Sequence, residues 1–242
     1  MKNRIVPYSI AIVAAMALAG CGQAGTVAGS TTSGSTAATT SAMASPTEKD
    51  YTNNELAAII AKLKDPSGRA FTVIPAAQID QGLEVARTLL KTAVITPKAC
   101  AVVSTNNAQV PEGSTYAAGA SLSAADKTTI TVTVFAVKDA SAMSAQLAAS
   151  EKAASQCSTV TESVAGKKST VKVTPVQVST NGDKSLGALT SETAPTGQKV
   201  TSLTVTAVKG NLAATVVKAG AAITSAASNE LVKLVNTVLV GQ

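Results

Sequence analysis

The stretch Thr129-Ile130-Thr131-Val132-Thr133-Val134-Phe135-Ala136 alternates large apolar and hydroxyl-bearing residues almost without a break. Successive side chains of an extended chain point to opposite sides, so Ile130, Val132, Val134 and Ala136 share one face. Thr129, Thr131, Thr133 and Phe135 share the other. That pattern predicts a half-buried strand, one face on a core and the other toward water. Thr115 to Leu122 reads as a neighbouring strand, joined to it by a turn containing Asp126-Lys127. Downstream, Gly166-Lys167-Lys168, Asn181-Gly182, Pro195-Thr196-Gly197 and Gly210-Asn211 punctuate further apolar runs, which predicts a meander of antiparallel strands. Around Pro175 the alternation shifts from Val171 and Val173 to Val176 and Val178, which reads as a bulge or an edge strand. Leu203, Val205 and Ala207 line one face of the next strand, and Leu212 to Val217 pairs back on it.

Helical periodicity flanks these strands. Thr52-Asn53-Asn54-Glu55 fits a capping box, in which the Thr and Glu side chains satisfy free backbone N–H groups at a helix start. Leu56, Ile59, Ile60 and Leu63 then mark one helical face, and Asp65-Pro66-Ser67-Gly68 stops the helix. A short strand from Phe71 to Ile74 leads to Pro75, well placed to start a second helix with Ile79, Leu83, Ala86 and Leu90 as its buried stripe. Thr96-Pro97 ends that helix. A third, capped by Asp139, puts Met143, Leu147, Ala154 and Cys157 on one face, and a last helix from about Ser225 offers Ala227, Leu231, Leu234 and Val238. The expected fold class is α+β: a largely antiparallel sheet with packed helices and one disulfide, in a single domain over 51–242.

The first fifty residues have a different character. Lys2 and Arg4 precede an almost wholly apolar run from Ile5 to Ala19, the layout of an export signal. A spanning helix needs about 20 apolar residues, and this run is shorter and ends in Gly20-Cys21-Gly22. Leu18-Ala19-Gly20-Cys21 resembles the lipobox of bacterial lipoproteins. The resemblance implies a signal peptide over 1–20, cut before Cys21, and a diacylglyceryl group on the Cys21 thiol that holds the protein on the extracytoplasmic face of the cell membrane. Each buried lipid CH₂ contributes about 0.8 kcal/mol, and stable anchoring takes more than one chain. Gly22 to Pro46 is nearly all Gly, Ala, Ser and Thr, so 21–50 reads as a lipidated terminus followed by a tether. Such a segment buries too little surface to offset its chain entropy, and its reach is about 25–30 Å.

Composition narrows the chemistry. Histidine is absent, which removes Ser-His-Asp and Cys-His catalysis and nearly all zinc sites. Lys+Arg number 20 and Asp+Glu 14; without Lys2 and Arg4 the balance is +4. Aromatic residues make up 2% of the chain, too few for base-stacking platforms, so no nucleic-acid partner is expected. No cofactor or metal is expected, and the chain is not read as an enzyme. In an exported domain Cys100 and Cys157 read first as a disulfide. A reactive thiol pair is the alternative, without the Cys-x-x-Cys spacing of redox motifs.

Pro97-Lys98-Ala99-Cys100 after an amphipathic helix, then a strand pair, a helix ending in Cys157, a meander and a closing helix, together resemble the extracellular sensor domain of actinobacterial PknH-type serine/threonine kinases. The likeness spans about Glu55 to Gln242. Those domains usually hold two disulfides, whereas this one can form a single bridge. The resemblance implies a sheet-backed cleft for an unidentified ligand and supplies no motif residues for its lining. Other candidates have plainer readings. Asp80 and Glu84, with Arg87 beyond, share a helix face and suit the helix start and an intrahelical pair. Ser169-Thr170-Val171-Lys172 matches a Ser-x-x-Lys string, but on a strand the two residues face opposite ways. Gly119 to Ser123 falls one residue short of a Gly-x-Ser-x-Gly elbow.

Two functions follow as expectations: a sensor-like module that captures a small molecule, lipid or envelope protein non-covalently between sheet and helices, or an interaction module of the cell envelope that presents a surface to a protein partner. Mass spectrometry of envelope-purified protein should find Cys21 as the first residue, diacylated. An unmodified Cys21 in intact, membrane-free protein would contradict the lipoprotein reading.

Overall fold

A computed structural model describes residues 49–101 and 113–240. The expected export signal, Cys21 and the expected tether lie outside the described residues. Those described form four α-helices and nine strands. In chain order they are α1 (Asn53–Lys62), β1 (Thr72–Ile74), α2 (Ala76–Thr92), β2 (Val94–Thr96), β3 (Thr115–Ser123), β4 (Thr128–Ala136) and α3 (Ala140–Gln156). There follow β5 (Thr159–Val164), β6 (Lys167–Val176), β7 (Lys184–Thr193), β8 (Lys199–Lys209), β9 (Leu212–Gly220) and α4 (Ser228–Val240).

All nine strands join one sheet in the order β1-β3-β4-β9-β8-β7-β6-β5-β2, and every pairing is antiparallel. The α+β expectation holds. β2 was not foreseen, although Val94-Ile95-Thr96 carries three β-branched residues in a row. The expected turn at Gly166 sits one residue earlier: Ala165 (φ 49°) and Gly166 (φ 76°) close a two-residue hairpin of the type whose twist matches the flanking strands. No bulge marks Pro175. β6 runs through it in register, with Pro175 opposite Ala188. The Val173 amide donates to Ser158 O, at the last rung on the β5 side. Pro175, two residues further on, therefore turns its missing N–H to a side where no strand pairs, so the edge reading is right locally.

The sheet has two chemically distinct faces. Ile130, Val132 and Val134 of β4 share one with Leu203 and Val205 of β8 and Val216 of β9, all buried in the main core. Leu56 and Ile60 of α1 and Leu231, Val235, Val238 and Leu239 of α4 cover them. The capping box forms as expected, with Thr52 N donating to Glu55 Oε2 at 2.9 Å and Glu55 N to Thr52 Oγ1 at 3.2 Å. α1 lies so close to the sheet that a Cβ on Gly119 would come within 2.4 Å of Ile60 Cγ2. Phe135 faces the other way and is buried as well, against Met143 and Leu147 of α3. β4 is therefore enclosed on both sides at that end, where one side was expected to meet water.

The turn after α1 is more than a helix stop. Asp65 is buried, and its carboxylate accepts from the Ser67 amide (2.9 Å), the Arg69 amide (2.9 Å), Arg69 Nε (2.7 Å) and Ser121 Oγ of β3 (2.7 Å). Burial opposes its charge, but the donors led by Ser121 and Arg69 outweigh that and hold its pKa at about 2. A pKa lowered by folding contributes stability above the unfolded value of about 3.9, and that contribution is lost as pH falls toward 2. Asp65→Ala should cost on the order of 2 kcal/mol at neutral pH, because it orphans the Ser121 hydroxyl and the turn amides. In denaturant titrations the deficit should shrink steadily below pH 4. A deficit that is the same at pH 7 and pH 2 would rule out the charged network.

Candidate functional site

α2 connects the two edges of the sheet, since β1 lies at one end of the strand order and β2 at the other. Its 17 residues span about 25 Å at 1.5 Å per residue. The outer strands of a flat nine-stranded sheet would stand about 38 Å apart, at about 4.8 Å per step. With about 7 Å more from the link at each end the connection barely reaches; right-handed twist curls so wide a sheet, and α2 lies as a chord across the concave side. Tyr116, from the face of β3 that carries Phe135 of β4, donates its hydroxyl to the Asp80 carboxylate and so fixes the first half of the helix. At the other end β2 pairs with β5, and Cys100, just beyond, bonds to Cys157 at the end of α3.

That disulfide has an S–S distance of 2.13 Å and a sequence separation of 57. Both half-cystines are buried with Val160, and Ile95 and Val171 pack against them. In the chain-entropy model, closing the loop stabilises the fold by about 4 kcal/mol. Met143, Leu147 and Ala154 are buried as the periodicity of α3 requires, and Asp139 Oδ1 accepts from the Ser141 amide at 2.9 Å.

The expected stripe of α2 is only half realised. Ile79, Leu83, Ala86 and Leu90 do share a face, but all are half-exposed, and the helix has no buried residue. Every other α-helix buries part of its stripe. Among the described residues α2 has its main contacts with the outlying strands β3 and β5.

Beneath it the strand alternation lays out rows of hydroxyls. Thr133, Thr215 and Thr206 stand opposite one another across β4, β9 and β8, with the Thr206 and Thr215 hydroxyls hydrogen-bonded at 3.0 Å. The next row is Thr131, Val217, Thr204 and Ala188, and the one after is Thr129, Ala219, Ser202 and Thr190. Thr204, Thr206 and Thr215 are buried, whereas Thr131, Thr133, Thr190 and Ser202 remain half-exposed. Glu192 of β7 and Glu162 of β5 lie on this same face, separated by β6. Burial, then the charge of Glu162, raise the Glu192 carboxyl above its ordinary range, against a hydrogen bond from Ser169. The candidate groove between them has an apolar helical roof, a hydroxyl floor and carboxylates toward the β5 end, and α3 packs on the same face over β6 and β7.

Asp80 has its key partner across the sheet in Tyr116 rather than along the helix, and Glu84 is exposed. The hydrogen bond to Asp80, reinforced by burial and by the Asp80 charge, raises the Tyr116 hydroxyl above the usual phenol range, with Arg87 opposing. Ser169 and Lys172 lie on β6 and face opposite ways, and Gly119 to Ser123 lies within β3. Among the described residues no grouping of His, Cys, Asp and Glu could hold a metal ion, and no helix is long and apolar enough to cross a membrane.

The class so defined is an α+β domain whose single antiparallel sheet curls under a bridging helix. No family model matches the chain, and no curated protein matches it. Among solved structures, the extracellular domain of PknH from Mycobacterium tuberculosis is similar with a TM-score of 0.46 and 19% identity, covering 61% of this chain and 77% of that one. An uncharacterised protein of Mycobacterium smegmatis, the Rv0999 ortholog, is similar with a TM-score of 0.42 and 14% identity, covering 70% and 85%. At that level neither assigns this chain a ligand, a partner or a residue role.

If the Tyr116–Asp80 bond is what holds α2 in place, Tyr116→Phe should speed amide exchange across 76–92 by about tenfold and leave exchange in α4 unchanged. Unchanged protection of α2 would show that other contacts hold it.

Proposed function

We propose that this is a lipid-anchored, extracytoplasmic binding module that captures a ligand non-covalently in the groove between α2 and the concave face of the sheet. One observation carries the reading: an amphipathic helix of 17 residues with no fully buried side chain, its apolar stripe half-buried over rows of hydroxyls of which Thr131, Thr133, Thr190 and Ser202 are half-exposed. An apolar stripe left in that state is costly at about 25 cal/mol per Å² of exposed apolar surface, and a ligand filling the gap would recover it. Hydroxyl rows under an apolar roof suit a molecule with one apolar and one hydrogen-bonding side, a small molecule or lipid. Binding without catalysis fits a chain with no histidine. The anchor rests on the signal-like N-terminus and the Leu18-Ala19-Gly20-Cys21 string, and places such a module where envelope ligands are available.

Thermal unfolding of the purified protein against fractionated envelope extract tests this. One fraction should raise the midpoint, by about 2.7 kcal/mol of stabilisation at a hundredfold excess over Kd. Leu83→Glu should abolish that shift while the variant keeps its own fold, because Leu83 is half-exposed. A shift that survives Leu83→Glu would move the ligand out of the groove, and no shift from any fraction would count against a binding role.

A further inference from the structure

Among the described residues, helices cover the convex face only in part. α1 packs on β1, β3 and β4, and α4 on β8 and β9; neither has its main contacts with β5, β6 or β2. On that uncovered part, Lys199, Thr193, Thr170, Thr161 and Thr96 stand directly opposite one another in a single row across β8, β7, β6, β5 and β2. Beside it run the rows Thr201, Ser191, Lys172, Thr159 and Lys168, Ser163, Val94. Lys168, Lys172, Lys199, Thr96, Thr159 and Thr193 are exposed, and Val94 is 65% exposed.

The charge on these strands is sorted by face. Their carboxylates, Glu162 and Glu192, point to the concave side by alternation, and the convex grid holds lysines with no acid among them. None of the three lysines makes an ion pair among the described residues, and the acid of α4 on that side, Glu230, is tied to Lys218 at 2.8 Å. A regular grid of hydroxyl donors and ammonium groups matches a surface of phosphate oxygens.

We infer that this face rests on the headgroups of an anionic phospholipid bilayer. Each lysine near such a surface strengthens binding by about fivefold, so three give about a hundredfold in affinity. The two faces of a sheet look in opposite directions, so seating the convex one on the bilayer turns the α2 groove away from the membrane. The lipid on Cys21 would fix how far the domain can stray, and the lysine grid which way it faces. This rests on the reading of the chain as membrane-anchored.

The test uses the full chain with phosphatidylcholine vesicles and with vesicles that also contain phosphatidylglycerol. A membrane-impermeant acylating reagent labels exposed lysines, which are then mapped by mass spectrometry. On anionic vesicles, labelling of Lys168, Lys172 and Lys199 should slow about tenfold relative to the exposed Lys91 of α2 and Lys152 of α3, both on the other side of the sheet, and high salt should restore it. On neutral vesicles all five should label alike. The variant K168Q/K172Q/K199Q should lose the anionic preference while its melting midpoint is kept. Equal labelling of all five on anionic vesicles, equal slowing of all five, or free phosphate protecting the three as well as vesicles do would overturn the assignment. Absence from neutral vesicles alone would remove the Cys21 anchor and not the grid, because binding to anionic vesicles would still read the lysines.

Discussion

A helix of 17 residues must reach from one edge of a nine-stranded sheet to the other, and most of the domain follows from that constraint. The helix alone is shorter than the flat sheet is wide, and the twist of the strands curls the sheet so that one face becomes concave. The helix is held toward its ends, by Tyr116 on β3 and by β2 pairing with β5. The disulfide acts on the same geometry. It joins the segment after β2 to the end of α3, which itself lies on the concave face, so the far edge cannot swing away from the rest.

Curling also gives the two faces different tasks. Against α1 and α4 the strands place Val, Ile and Leu, and packing there is complete. On the α2 side they place many Thr, Ser and Ala, with Phe135, Leu186 and Val208 packed against α3. Beyond the reach of α1 and α4 the convex side turns into an open hydroxyl and lysine grid. One alternating strand chemistry thus produces a core, a groove and an exposed surface, depending on what lies over it.

The candidate groove was only partly legible beforehand. Ile79, Leu83, Ala86 and Leu90 were visible as a stripe, but periodicity shows which side chains share a face and not whether anything is pressed against them. Thr131 and Thr133 were read as facing water because threonine on the second face of a strand usually does. Their counterparts Thr206 and Thr215 are buried, and only the pairing of β4, β9 and β8 places all four together. Asp80 drew notice for its neighbours along the helix, whereas its main partner is 36 positions away. The buried Asp65 passed as a helix stop because Ser121, 56 positions on, carries no local sign of the pairing.

What the sequence determined by itself is local: the capping box at Thr52, the alternation of β4, the hairpin turns, the inward face of α3 ending at Cys157, and the lipobox-like string at Cys21. These are legible because they depend on residues a few positions apart. Strand order, the curl, the two partners of the sheet's edges and the half-buried state of the α2 stripe were decided only in three dimensions. They depend on which distant segments meet, and on a helix length measured against a sheet width, neither of which any short window of residues contains.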